Sequence, residues 1–452
     1  MVPCRAFHQY EHPALHRLGR GLLDGPDLRT NHGADVPGPQ VSAPAATGQT
    51  LLVLASTYPR WRGDPEPGFV HELAKRLAPH LHVIVLCPHA AGAAPVERMD
   101  GVEVIRYRYA PARLETLVNN GGIVTNLRNS RWKALLLPGF VLSQAWQAWR
   151  LCRTRKIDVV HAHWLVPQGL IAVLLGSALG GHVPFVVTSH GADLYALRGR
   201  AMRALKRFVL ARAHSATVVS HAMRDAAMQL GTQTSISVLP MGVDTAARFV
   251  LGDPRARNRD ELLFVGRLVE KKGVRHLLDA LPLVLRERPC VTLTIAGFGP
   301  DEPLLRIRVH ELGLQHAVHF LGAVPQERLP ALYQRAALFV APFVQAASGD
   351  QEGLPVALME AVACGCPAIA GDVAGLQDIF GPQASTCIVN PRDGAAMASA
   401  ILARLEDPHQ ASESAQELRA TLLGRLGWEH IAEQYLRILE NAAGHPRQAP
   451  PR

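Results

Sequence analysis

One rhythm, run through twice, restricts what this chain can fold into. From residue 50, short apolar runs alternate with stretches of helical period: TLLVLAS from 50, HVIVLCP from 82, VEVIRYRY from 102, DVVHAH from 158, PFVVTSH from 184 and ATVVS from 216. Short runs that are apolar at almost every position suit strands buried on both faces, and helices between them make a parallel sheet with both faces covered. After ISVLPMGVD (236–244) comes TAARFVLGDPRARNRDE, a polar stretch with Pro and Gly that reads as a linker. The alternation then restarts with ELLFVGRL at 261, VTLTIAGFG at 291, VHFLGA at 318, LFVAPF at 338, CPAIAGD at 366 and CIVNP at 387. The expected class is α/β, with two tandem Rossmann-like doubly wound domains. Ligands bind at the strand C-termini of such sheets, so a cleft between the two is expected.

At 452 residues the chain is too long for one ordinary core. The expected layout is a flexible Pro-, Gly- and Ala-rich leader over 1–48, a first domain over 49–245, a linker over 246–260 and a second domain over 261–425. A C-terminal amphipathic helix over 426–441 and a flexible tail over 442–452 complete it. Hydrophobic residues at 48% and charged ones at 19% are an ordinary globular balance, and the net charge of +9 favours an anionic partner. The seven cysteines are odd in number and mostly in apolar surroundings, which predicts reduced thiols, no disulfide framework and a cytoplasmic location. Cys364 and Cys366 lack the second Cys/His pair that a structural zinc needs, so no metal is expected. No stretch reaches the ~18 uncharged apolar residues of a membrane span, and no signal pattern opens the chain.

The most informative stretch is SGDQEGLPVALMEAVACGCPAIA, 348–370. Pro355 suits a helix start and Gly365 a helix end, so a helix from about Pro355 to Cys364 is predicted. Glu352 then precedes the helix, and Glu360 sits inside it among Leu358, Met359, Ala361, Val362 and Ala363. A carboxylate in such an apolar helix is buried and needs a partner. The free amides and positive dipole end of the helix between the two carboxylates make an anion site. Phosphates near the amides and hydroxyls donating to the carboxylates would match, as in a sugar nucleotide; a surface loop and a solvated helix residue are the plain alternative.

Other stretches point the same way less specifically. FVGRLVEKKGVRHLL (264–278) puts Arg267, Lys271 and Lys272 in a loop at a strand end, as a diphosphate would require or as a solvated basic turn would show. IAGFGPDEPLL (295–305) is a Gly-x-Gly turn at Gly297 and Gly299, read as a tight turn with close backbone approach to a ligand, or as a purely structural turn. VVTSHGADLY (186–195) places His190 at a strand end, where Asp193 could orient it or merely cap a helix. His161 and His163 face one side of a strand without an obvious third ligand, which favours a core or cleft-lining role over a metal. The segment 127–156 is rich in Lys and Arg, has no Asp or Glu and carries Trp132, Trp146 and Trp149. That mix suits an interfacial helix at an anionic membrane, single-stranded nucleic acid, or a packed helix with one cationic face.

Taken together, these motifs resemble glycosyltransferase family 4, the retaining group 1 enzymes of polysaccharide and glycolipid biosynthesis with the GT-B fold. EGLPVALMEAVACGCP is similar to the family's Glu-x7-Glu element, GRLVEKKG to its Gly-Arg-Leu…Lys-Gly element, VLPMGVD to its hinge segment and SHGADL to its His-Gly-x-Asp element; VSHAM at 219 and IAGFGP follow the family order. The resemblance implies a metal-independent hexosyltransferase that uses a UDP- or GDP-linked sugar and no further cofactor. The acceptor would be a saccharide or lipid-linked molecule, with no nucleic acid as partner.

By residue, the resemblance implies that Arg267 and Lys272 hold the diphosphate, Glu360 accepts from the ribose, and Glu352 contacts the donor sugar near the reacting centre. His190 would face that sugar or the acceptor, and Gly297, Gly353, Leu354 and Pro355 would line the donor site. The loop STYPRWRGDPEPGFV (56–70) departs from the family's paired glycines: Gly63 and Gly68 are separated by a charged, Pro-containing insert. Readings left open on the same scaffold are a nucleotide-sugar epimerase, a phosphorylase and a non-catalytic sugar-nucleotide-binding protein.

Overall fold

The computed structural model describes residues 48–64, 68–118, 122–180 and 183–445. The expected leader up to residue 47, the middle of the 56–70 loop and the end of the expected tail lie outside the described residues. The first sheet contains β1 (Thr50–Leu54), β2 (His82–Pro88), β3 (Val96–Met99), β4 (Val102–Tyr107), β5 (Val159–His163), β6 (Phe185–Ser189), β7 (Ser215–Val218) and β8 (Ile236–Val238), in the order β3-β4-β2-β1-β5-β6-β7-β8. The second contains β9 (Asn258–Val265), β10 (Thr292–Ala296), β11 (Val318–Gly322), β12 (Ala336–Ala341), β13 (Ala368–Gly371) and β14 (Ile388–Val389), in the order β11-β10-β9-β12-β13-β14.

Every pairing is parallel except that of β3 with β4. The apolar runs predict this arrangement, because each strand must bury both faces. In β1, Leu52 and Leu54 join one core layer with Ile84, Val160 and Ala162, while Leu51 and Val53 join the opposite layer with Val83 and Val159. In each sheet the chain builds outward on one side of its first strand and then returns to build on the other. The crevices at the C-terminal ends of β1 with β5, and of β9 with β12, are therefore the natural ligand sites.

The end of the chain ties the two sheets together. Helix Pro408–Leu426 buries Leu418, Leu422 and Leu426 against the second sheet, and helix Trp428–Gly444 crosses back to bury Trp428, Ile431, Tyr435 and Leu439 against the first. At the crossing, Val243 N donates to Leu426 O at 2.8 Å and Val243 pairs with Gly427. Burial on this scale is worth about 1.5 to 3 kcal/mol per large side chain.

Three details differ from expectation. Strand β3 has no long apolar run to mark it, since it reads VERM. The second sheet begins at Asn258, inside the stretch expected to be linker. Cys87, Cys152, Cys364, Cys366 and Cys387 are free thiols, but Cys290 is disulfide-bonded, against the expectation of reduced thiols throughout. Among the described residues no helix is long and apolar enough to cross a membrane.

Candidate active site

The loop after β12 leads into helix Val356–Ala363. Pro355 caps it in an extended conformation, the amides of Leu358 and Met359 reach back to Pro355 O, and Gly365, at φ +67°, ends it. Val356 and Ala357 line a cavity of about 190 Å³ together with Glu360, and Phe69, Glu72 and Trp428 close it from the side of the first sheet. The amides of these first helical residues have no acceptor within the helix.

Glu360 is 4% exposed. Its Oε1 accepts from Gln326 Nε2 at 2.7 Å and its Oε2 from the Tyr333 hydroxyl at 3.0 Å. Burial outweighs both bonds and raises its pKa to about 7. Arg248 also lines the cavity, 4.0 Å from Glu72.

Glu352 lies in a different electrostatic setting. Lys272 Nζ is 3.1 Å from Oε2, Lys271 Nζ is 3.4 Å from Oε1, and Lys271 also reaches Asp350 at 3.3 Å. The four groups form a chain of ion pairs of alternating sign: Asp350, Lys271, Glu352, Lys272. Burial pushes the Glu352 carboxyl up, but the two ammonium groups, Lys272 first, overcome it and hold it down at about 2. Lys272 is itself lowered, by burial first and also by the neighbouring positive charges of Lys271 and Arg267, and its ammonium lies 4.8 Å from the Phe343 ring centroid. A phosphate at this cluster would meet cations already gathered at the end of β9. Loop geometry brings them there: Gly273, at φ +68°, turns so tightly that a Cβ would lie 1.8 Å from Pro342 O.

The first sheet closes onto this loop. A Cβ on Gly191 would lie 3.0 Å from Gly353 N, and one on Gly353 would lie 2.6 Å from His190 O. Leu354 packs on the first sheet's core, and Asp378 accepts from His221 N at 2.7 Å. His190, Glu352, Gly353, Leu354 and Pro355 are thus brought to one seam, with Arg267 and Lys272 in the β9 loop. Glu360 lies a turn and a half into the helix and faces the cavity.

At Asp193 and Gly297 the structure shows contacts that the sequence does not identify. Asp193 does not orient His190: its carboxylate accepts from Leu165 N at 2.7 Å and Ser189 Oγ at 2.9 Å. The His190 ring instead bonds His163, with Nε2 2.9 Å from His163 Nδ1, and burial lowers its pKa to about 3. At Gly297 the close backbone approach is to the neighbouring strand end, since a Cβ there would lie 1.8 Å from Gly266 O. Gly299 likewise makes room for Leu268 O at 2.2 Å.

The described part of the 56–70 loop is pinned rather than loose. Arg106, buried on β4, donates to Pro59 O and Ala94 O, Arg60 pairs with Asp64, and Tyr58 bonds His71, which bonds Asp100. The site residues that the sequence did not single out are Asp350, Gln326, Tyr333, Arg248 and Glu72. The need of Glu360 for partners was visible, but their identity was not, because Gln326 and Tyr333 lie 34 and 27 positions away.

Known protein families match both halves of the chain. The family model described as glycosyltransferase family 4 matches residues 69–247, and that described as glycosyl transferases group 1 matches 259–407. The chain is 30% identical over 403 residues to a glycogen synthase of Mycobacterium tuberculosis, covering 85% of this chain and 92% of that protein. It is 31% identical over 277 residues to a GDP-mannose-dependent alpha-(1-6)-phosphatidylinositol monomannoside mannosyltransferase of Mycolicibacterium smegmatis, covering 58% and 71%. The fold is similar to that of sucrose-phosphate synthase from Thermosynechococcus elongatus, with a TM-score of 0.70 at 22% identity over 88% of this chain and 99% of that one. The two facing α/β sheets are therefore of the GT-B type, and the chain belongs to the group 1 enzymes of glycosyltransferase family 4 and is a glycosyltransferase.

Proposed function

We propose that this protein is a retaining transferase that moves a hexose from a UDP- or GDP-linked donor to a saccharide or lipid-linked acceptor, without a metal. The observation that carries the reading is the pairing of Lys271 and Lys272 with Glu352 at one end of the helix Val356–Ala363, with Arg267 near enough to act on Lys272 and Glu360 in the cavity beside it. The second domain, 261–425, holds the donor. Arg267 and Lys272 take the diphosphate with the first helix amides, Glu360 accepts from the ribose, and Glu352 contacts the sugar. Gly297 lets the strand ends meet beneath the diphosphate, and Gly353, Leu354 and Pro355 shape the sugar's wall. The first domain, 49–245, joined through 246–260, brings His190 and the acceptor.

As the bond to the leaving phosphate lengthens, positive charge grows on the sugar and negative charge on the diphosphate. The cations and helix amides stabilise the latter. The acceptor hydroxyl attacks from the same face and its proton passes to the departing phosphate oxygen, so atoms and charge balance without a protein base. A thermal-shift panel of nucleoside diphosphate sugars, followed by mass analysis of products, tests this. The expected result is stabilisation by one nucleotide class and a product heavier than the acceptor by one hexose. A donor cleaved or isomerised with no acceptor consumed would overturn it.

The reading extends to the place of work, the cytoplasmic face of a membrane. Support comes from helix Leu136–Thr154 and the turn before it, where Leu135, Leu142, Trp146 and Trp132 are 81%, 68%, 61% and 48% exposed beside Arg131, Arg150 and Arg153. Apolar groups at an acyl boundary and cations at headgroups are what an anionic lipid surface takes. Salt-sensitive sedimentation with anionic vesicles, weakened in Leu142→Glu/Trp146→Glu, is expected; equal binding by the variant would contradict it.

A further inference from the structure

We propose that His163 is a positioning residue for His190: it occupies His190 Nε2, so that His190 meets the ligand through Nδ1. The inference rests on the donor and acceptor reading above, and begins with the shape of the pair. The two rings are nearly coplanar, at 6°, with centroids 5.2 Å apart and the facing nitrogens 2.9 Å apart. The centroid separation is the hydrogen-bond length plus the two ring radii, so the rings meet edge to edge in one plane. One N–H points directly at the other ring's lone pair, the favoured hydrogen-bond direction.

The surroundings hold this arrangement from every side. His163 ends β5 and is 1% exposed, with the His161 ring 4.2 Å away by centroid. The next residue, Trp164, has φ +79°, a conformation that a bulky side chain adopts only where its surroundings enforce it. The enforcement is visible: Trp164 N donates to Thr188 O at 2.7 Å, and Asp193 takes Leu165 N at 2.7 Å. The Asp of the His-Gly-x-Asp element thus fixes the corner that carries His163. On its outer side the His190 ring lies against Phe69 and Trp164, at 4.8 and 5.1 Å by centroid, and Phe69 lines the cavity.

His161 is engaged elsewhere. Its Nε2 bonds Thr188 Oγ1, which bonds Thr217 Oγ1, and Thr217 bonds the Tyr435 hydroxyl of the last helix. The His161 Nδ1 is buried without a hydrogen-bond partner, so neither ring nitrogen of His161 bonds His190. Burial keeps all three imidazoles neutral, so a single proton between His163 and His190 decides whether His190 Nδ1 donates or accepts.

Asparagine places its amide near the Nδ1 position of histidine and glutamine near Nε2, which makes the claim testable. Turnover is measured with UDP-glucose and GDP-mannose. His190→Asn is expected to keep more activity than His190→Gln. His163→Phe should cost about 10- to 100-fold in the wild-type background, but less than about threefold in His190→Asn, where the pair no longer exists. His163→Asn, which keeps an amide at the Nδ1 position, should keep activity near that of the unsubstituted chain and serves if the Phe variant does not fold. Multiplicative effects in the double variant, or His190→Gln outperforming His190→Asn, would overturn the proposal. A second readout needs no donor: in protein labelled with 15N-histidine, His163→Phe should change both His190 ring nitrogen shifts, and unchanged shifts would refute the pair's role. Failure of turnover with every donor, while the nitrogen shifts respond, would count against the transferase reading and not against the pair.

Discussion

Replacing Glu360 by Gln should make the unliganded protein more stable at alkaline pH while weakening its hold on the donor. Burial lifts this carboxyl from its ordinary 4.5 to about 7. The native state therefore keeps a proton that the unfolded chain has already released between those two values, and stability falls as pH rises through that window. At about 1.4 kcal/mol per pKa unit the total is about 3 kcal/mol once the group is ionised in both states. Glutamine is neutral at every pH and of the same shape, and it can still accept from Gln326 and bond Tyr333. Unfolding free energies of the two proteins from urea titration should differ little at about pH 5, and by about 2 to 3 kcal/mol in favour of Glu360→Gln at about pH 8.5. A gap that is the same at both values, or a variant less stable at the higher pH, would show that Glu360 is not the buried, destabilising acid described here. Binding should move in the opposite direction: a ribose hydroxyl donates better to a carboxylate than to an amide, at about 1 to 2 kcal/mol.

The remaining predictions concern the charges and the turns. Arg267→Ala or Lys272→Ala should lower kcat at least ~100-fold with the fold intact, as loss of charge stabilisation in the transition state does; near-normal kinetics in the purified variant would remove the assignment. Lys271→Met takes away one of the two cations that hold Glu352 at about 2. When the diphosphate recruits Lys272, Glu352 then has no counter-charge, so the variant's rate should fall off with acid at a higher pH than the wild type's. Superimposable pH–rate profiles would contradict that. Gly297→Ala pushes a methyl to 1.8 Å from Gly266 O and should cost several kcal/mol, read as a lost urea transition or insoluble protein. A soluble variant of wild-type stability would refute the strand-end contact.

Much of this architecture was legible because its causes are local. Runs such as TLLVLAS and ELLFVGRL have no polar face to offer to water, and that alone demands parallel strands covered on both sides. Pro355 and Gly365 bracket their helix by backbone preference, and Glu360 among Leu358, Met359 and Val362 advertises a buried acid. What stayed hidden depends on contacts between distant segments. Gln326 and Tyr333 reach Glu360 only because β11 and the following helix pack beside it. His163 reads as a core or cleft-lining histidine, but only the corner at Trp164 sets it edge-on to His190. Asp193, three residues from His190, could by sequence either orient it or cap a helix, but the chain turns and delivers its carboxylate to Leu165. Strand β3 escaped for the reason that edge strands usually do, since only Met99 of its four residues is buried and no apolar run marks it.

The central claim is that one nucleoside diphosphate sugar binds between Glu352 and Glu360 on the cations of the β9 loop. Calorimetric titration of the full chain with UDP, GDP and ADP, and with their hexose conjugates, tests it most directly when repeated on Arg267→Ala and Glu360→Gln. One base class is expected to bind the wild type, with Arg267→Ala weakening it about tenfold or more and Glu360→Gln by a smaller factor. Binding that both variants leave unchanged, or no binding by any of the nucleotides, would contradict it.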